Sequence, residues 1–147
     1  MKKIQFHIDI QAPREKVWDI LWQDSSYRKW TSVFAEGSHA VSTWNEGEKI
    51  LFIDPAGSGM YSMIEKMDVP VLMSFKHLGV LKDGKELPSD DASTQKWSGA
   101  HETYTLKENG ASTRLDVTMD TEESHKEYFE NTFPKALAIV KELSERT

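Results

Sequence analysis

Two polar side chains stand where strand alternation would turn them toward apolar neighbours. His77 lies in "VLMSFKHLGV" and shares a face with Met73 and Phe75, while Ser74 and Lys76 take the other. Glu102 lies in "HETYTL" and shares its face with Ala100, Tyr104 and Leu106. An imidazole and a carboxyl among apolar groups can anchor a ligand or act as an acid/base pair. The plainer reading is a satisfied structural pair, or side chains turned to solvent. A buried carboxyl must pair, accept hydrogen bonds or stay protonated.

Other chemistries lack their patterns. The histidines at 7, 39, 77, 101 and 125 show no metal-ligand spacing. His101 and Glu102 are adjacent on a strand, so they face opposite ways and cannot hold one ion together. "GSGM" lacks the third glycine of a dinucleotide fingerprint and the Lys-Ser or Lys-Thr of a phosphate loop. "AGSGM" is not a G-x-S-x-G elbow. No catalytic residue, metal or cofactor is assigned. With no cysteine there is no disulfide or thiol nucleophile, and with a net charge of -6 there is no electrostatic footprint for nucleic acid. The start "MKKIQFHIDI" has lysines but no continuous apolar run, and nothing approaches the ~18 apolar residues of a membrane span. A cytoplasmic protein without membrane insertion is expected. The 147 residues, 38% hydrophobic and 29% charged, suit one domain over 1–147.

The elements that position His77 and Glu102 follow from periodicity. "KIQFHIDIQ" alternates as a half-buried strand, with Ile4, Phe6, Ile8 and Ile10 on one side. "APREKVWDILWQ" is helical, with Pro13 at its start, and a second short helix is expected over Ser25 to Trp30. Phe6, Trp18 and Trp22 should fill the space between sheet and helices. "NEGEKILFID" gives a turn and a strand, and "DPAGSG" a turn cluster. "MYSMIEKMDVPVLMSF" carries four methionines. Met60, Met63, Ile64 and Met67 fit a helical stripe, but "GSG" before and "DVP" after favour two strands joined by a turn at Asp68 to Pro70. Hairpins are expected at Asp83-Gly84 and Asn109-Gly110, and "LPSDDASTQ" at 87 to 95 reads as a mobile polar loop followed by Trp97 at a rim or surface. The last segment is helical. Thr121 and Ser124 offer caps, Phe129, Phe133 and Leu137 lie on its apolar stripe, and Pro134 should kink or interrupt it.

The stretches "APREKVWDIL", "YRKWTSVFAEGS", "WNEGEKILF", "SFKHLGVLKDGKE" and "TFPKAL" resemble the SRPBCC superfamily of START-like helix-grip proteins. They are most similar to small bacterial proteins like the C-terminal domain of the activator of heat-shock protein 90 ATPase. The resemblance covers essentially the whole chain and is more specific for fold than for function. It implies an α+β helix-grip fold: a curved antiparallel sheet of about six to seven strands around a long C-terminal helix, with one or two short helices after the first strand and a deep apolar cavity. Members bind lipids, hormones or polyketides, a minority are cyclases or hydrolases, and the heat-shock activators are cochaperones.

A bulge near Ser62 would bring Met60 and Met63 onto one face. Flexible and aromatic walls suit an adaptable cavity. The expected function is therefore non-enzymatic binding of a small hydrophobic molecule, lipid-like or polyketide-like. Its expected contacts are Trp30, Phe34, Phe52, Met60, Met63, Met73, Phe75, His77, Glu102, Tyr104, Phe129, Phe133 and Leu137. The alternatives are a cyclase or hydrolase using Glu102 or His77, and a cochaperone-like interaction module. A monomer or weak homodimer is expected, since an exposed edge strand can pair two copies.

Overall fold

The computed structural model describes residues 1–88 and 98–146. Trp97 and most of the polar loop expected at 87 to 95 lie outside these residues. The elements are β1 (Lys2–Ile10), α1 (Arg14–Trp22), α2 (Asp24–Thr31), β2 (His39–Ser42), β3 (Lys49–Ile53), β4 (Gly59–Asp68), β5 (Leu72–Lys82), β6 (Lys85–Glu86), β7 (His101–Asn109), β8 (Ser112–Thr121) and α3 (Lys126–Glu145). The sheet order is β1-β8-β7-β5-β4-β3-β2, with β6 paired to β5 and every ladder antiparallel. This is the α+β helix-grip architecture, with α3 across the inner face. β2, of four residues, is too short to show an alternation, and β6, of two, is the second arm of the hairpin expected at Asp83-Gly84.

The alternating segments pair as their apolar faces require. Ile4, Phe6 and Ile8 of β1 stand opposite Met119, Val117 and Leu115 of β8. Leu106, Leu115 and Val117 have no exposed surface. Burying each such side chain contributes about 1.5–3 kcal/mol. At the Asp83-Gly84 hairpin both central residues have positive φ, 53° and 75°, as a tight two-residue turn demands. The second hairpin sits one residue later than expected: Asn109 pairs with Ser112, leaving Gly110 and Ala111 as the turn.

The β4–β5 pair is irregular twice. Tyr61 pairs with Gly79 but Ser62 with His77, so Leu78 is an extra residue on β5. Ile64 pairs with Phe75 but Lys66 with Ser74, so Glu65 is an extra residue on β4. A bulge near Ser62 therefore exists, but its extra residue belongs to the other strand. Alternation along β4 survives from Met60 to Ile64, and Met63 falls on the outer face between Lys49 and Lys76. The second bulge returns Met67 to the inner face, opposite Met73.

A 3-10 turn, Glu123–His125, leads into α3. Neither Thr121 nor Ser124 caps it: the residue at the helix start, His125, makes no side-chain cap, and Ser124 contacts Glu122 and His125 instead. Pro134 does not interrupt α3, which runs unbroken from Lys126 to Glu145. Its exposed position explains this, because the carbonyl deprived of a partner faces water. Replacing Pro134 with Ala restores that hydrogen bond. The Pro134→Ala variant should gain about 1–3 kcal/mol, read as a raised midpoint in chemical and thermal unfolding.

Candidate functional site

The two halves of α3 pack differently. Ala136, Leu137 and Val140 in its second half are sealed against the sheet and first helix. Along its first half, Phe129 and Phe133 face open space. The result is a pocket of about 400 Å³. Its floor is the inner face of β3, β4, β5 and β7, and its other walls are α2, the segment after α2 and the start of α3. Trp30 donates its indole N–H to the Leu21 carbonyl at 3.1 Å, fixing α2 against α1. Tyr128 donates to the Phe34 carbonyl at 3.0 Å, tying α3 to the segment after α2. At Gly59, on the rim, a Cβ would lie 1.8 Å from the Phe52 carbonyl oxygen, so only glycine allows β4 to start this close to β3.

Of the side chains expected from the sequence, Trp30, Phe34, Phe52, Met60, Phe75, Glu102, Tyr104, Phe129 and Phe133 line the pocket. Met63, Met73, His77 and Leu137 do not. Met63 is on the outer face, Leu137 belongs to the sealed half of α3, and Met73 is core beside Met67. His77 stands behind the wall. Trp22, Tyr27, Tyr128, His39 and Asp54 also line the pocket and were missed. Tyr27 had a signal, since it precedes Trp30 and Thr31 by three and four residues on one helix face. Trp22, expected in the core, is core as well as wall. Its indole nitrogen is buried with no hydrogen-bond partner among the described residues. Edge-to-face rings crowd it, Tyr104 at 5.0 Å and Phe75 at 5.4 Å between centroids.

The polar groups form a chain. Ser62 Oγ lies 2.7 Å from His77 Nδ1, His77 Nε2 lies 3.0 Å from Glu102 Oε1, and the Tyr104 hydroxyl donates to Glu102 Oε2 at 2.5 Å. With the proton on His77 Nε2, Ser62 donates to His77 and His77 to Glu102, so both donor paths end on the one carboxyl. This is the satisfied pair expected for a buried acid. The Ser-His-Glu order resembles a nucleophile relay, but Ser62 has no exposed surface and lies outside the pocket wall. No substrate carbon can approach its hydroxyl. Only Glu102, with 16% of its side chain exposed against 6% for His77, faces the pocket.

Two hydroxyls are held protonated. Burial first, and the Glu102 carboxyl second, raise Tyr27 far above the ordinary tyrosine range. Burial, then the charge of Glu102 and its hydrogen bond, do the same for Tyr104. Above pH ~10 an unfolded chain releases these protons while the folded chain keeps them. The unfolded state then binds fewer protons, so stability is complete below pH ~10 and falls as pH rises further, by up to about 1.4 kcal/mol per pH unit for each tyrosine. Denaturant titrations from pH 9 to 12 should show this slope, and Tyr27→Phe should remove one proton from it. Phenolate absorbance from Tyr27 and Tyr104 should appear only with unfolding.

Among the described residues no group of His, Asp and Glu is arranged to hold a metal ion, and no helix is long and apolar enough to cross a membrane.

Comparison with known proteins places this geometry in context. A protein from Mesorhizobium loti superposes with a TM-score of 0.77 at 15% identity, over 99% of this chain and 98% of that one. The Aha1 dimer from Colwellia psychrerythraea, a solution structure, gives 0.71 at 19% identity over 99% and 98%. An AHSA1-like protein from Aeromonas hydrophila gives 0.68 at 18% identity over 98% and 92%. At these identities the likeness is one of fold. No protein of curated function matches the sequence. A family model described as activator of Hsp90 ATPase homolog 1-like protein matches residues 11–145, and the chain belongs to that family.

Proposed function

We propose that the protein is a cytoplasmic, non-enzymatic binder of a small hydrophobic molecule, lipid-like or polyketide-like, held between the sheet and the first half of α3. The observation that carries this reading is the unfilled volume. The same sheet face and the same helix are sealed at one end and stand apart at the other, around about 400 Å³. An empty apolar space forfeits dispersion contacts along its whole lining. That size, an aromatic wall and a few converging polar groups are the usual marks of a small-molecule site. The helix-grip fold of the family itself suggests ligand binding.

A catalytic reading rests on Glu102 alone. Its two oxygens already accept hydrogen bonds from His77 and Tyr104, which leaves it better suited to holding a ligand than to exchanging protons with one. A cochaperone-like reading calls for a contiguous exposed apolar patch. The exposed large apolar side chains among the described residues, Met1, Val41, Val69 and Tyr128, sit on four separate segments. The protein acts as a monomer or a weak homodimer in this reading, and the Colwellia relative is a dimer in solution.

Native mass spectrometry of protein purified from its own host, followed by solvent extraction, should reveal a small-molecule adduct. Met60→Trp fills the pocket from its wall and should lower the occupancy of that adduct about tenfold while leaving the unfolding midpoint within a few degrees. A clean apo mass together with no stabilisation by a panel of apolar compounds would sink the proposal.

A further inference from the structure

We infer that the pocket selects apolar molecules carrying a positively charged amine over those carrying a carboxylate, with the ammonium group seated at Glu102. This rests on the pocket being a ligand site. The polar groups that line the space are mainly acids and hydroxyls. Glu102 presents a carboxyl from the floor, and Asp54 adds a second acid at the rim. Among the described residues that line the pocket there is no lysine or arginine, and the one basic side chain is His39, also at the rim. His77, which pairs with Glu102, is shielded behind the wall and offers nothing to a ligand.

The surroundings of Glu102 favour a cation in a second way. Tyr104, whose hydroxyl bonds Glu102, has the rings of Trp22, Trp30 and Phe75 around it at centroid distances of 5.0 to 6.3 Å. Aromatic faces attract a desolvated ammonium through their quadrupole. Tyr27, against Trp30, makes no hydrogen bond through its hydroxyl among the described residues and can accept one from an N–H donor. A fatty-acid carboxylate would instead lie beside the Glu102 carboxyl, with like charges close together and no lysine or arginine among the described lining residues to screen them. One end of the pocket therefore reads as an acceptor box. The end formed by Phe34, Phe129 and Phe133 is purely apolar and suits a hydrocarbon or ring system.

The test uses three probes that share one ring system: 2-naphthylmethylamine, 2-naphthylmethanol and 2-naphthoate. Binding to the intact protein is read from quenching of tryptophan fluorescence, since Trp22 and Trp30 line the pocket. Titrations run in about 0.5 M salt, which screens the overall charge and leaves contact interactions. The amine should bind at least about tenfold tighter than the acid, with the alcohol between. Glu102→Gln, checked for folding by circular dichroism, should bring the amine and acid to within about threefold. Binding of the alcohol with the acid equal to or tighter than the amine would overturn the inference and leave the ligand site standing. Failure of all three probes would overturn both. An undiminished amine preference in folded Glu102→Gln would overturn the assignment to Glu102.

Discussion

A carboxyl placed among aromatic rings has to be met by donors, and much of this structure follows from how Glu102 is met. Glu102 pairs across the ladder with Phe75, which puts His77 and Tyr104 two residues away on the same inner face of their strands. Both reach it. The β5–β7 register is thus held by polar contacts as well as by apolar burial, and a one-residue slip would orphan the acid while turning Phe75 outward. Ser62 extends the same demand to β4 by satisfying the other nitrogen of His77. Three strands of the sheet are keyed to one another beneath the pocket floor.

The pocket above that floor is built from stiff parts. Methionine was the residue type that drew attention in the sequence, yet only Met60 of that stretch reaches the wall. The rest of the apolar lining is mainly tryptophan, tyrosine and phenylalanine in edge-to-face and tilted contact. Such rings have few rotatable bonds and hold one another in place. A wall of this kind favours a definite shape over a forgiving one. The stack of Phe6 on Phe133 at 4.9 Å and the contact of Phe34 with Phe133 at 5.0 Å mark where the filled half of α3 gives way to the open half.

The architecture was legible in the sequence because strands with one wet face announce themselves by alternation. β1, β7 and β8 are such strands, and α3 has a stripe long enough to read. β2 was too short, and α3 tolerated Pro134 because an exposed proline strands only a solvated carbonyl. The site was legible only in part, for a specific reason. Periodicity tells which face a residue takes, so Glu102, Tyr104 and Phe75 were placed together. It does not tell which half of a helix is filled, so Leu137 was expected beside Phe133 although only Phe133 borders space. It also fails at a bulge. Met63 was assigned to the inner face by supposing an extra residue on β4, whereas the extra residue was on β5.

Those two bulges have a consequence for how this chain can change by insertion and deletion. Leu78 and Glu65 lie on opposite strands, so the offset introduced by one is cancelled by the other. Gly59 to Tyr61 and Lys66 to Asp68 pair with β5 in the same frame, and only Ser62 to Ile64 are displaced. The displaced window is the one that brings Ser62 opposite His77 and Ile64 opposite Phe75. Bulge-free pairing at the same length would set Ser62 opposite Leu78 and Glu65 opposite Phe75. Deleting Leu78 and Glu65 together would instead leave a regular ladder with Ser62 still opposite His77 and Ile64 still opposite Phe75. The contacts beneath Glu102 therefore survive loss of both bulged residues but not a shift of this window into the flanking frame, which makes the pairing partner of Ser62, rather than strand length, the marker of which relatives retain this site.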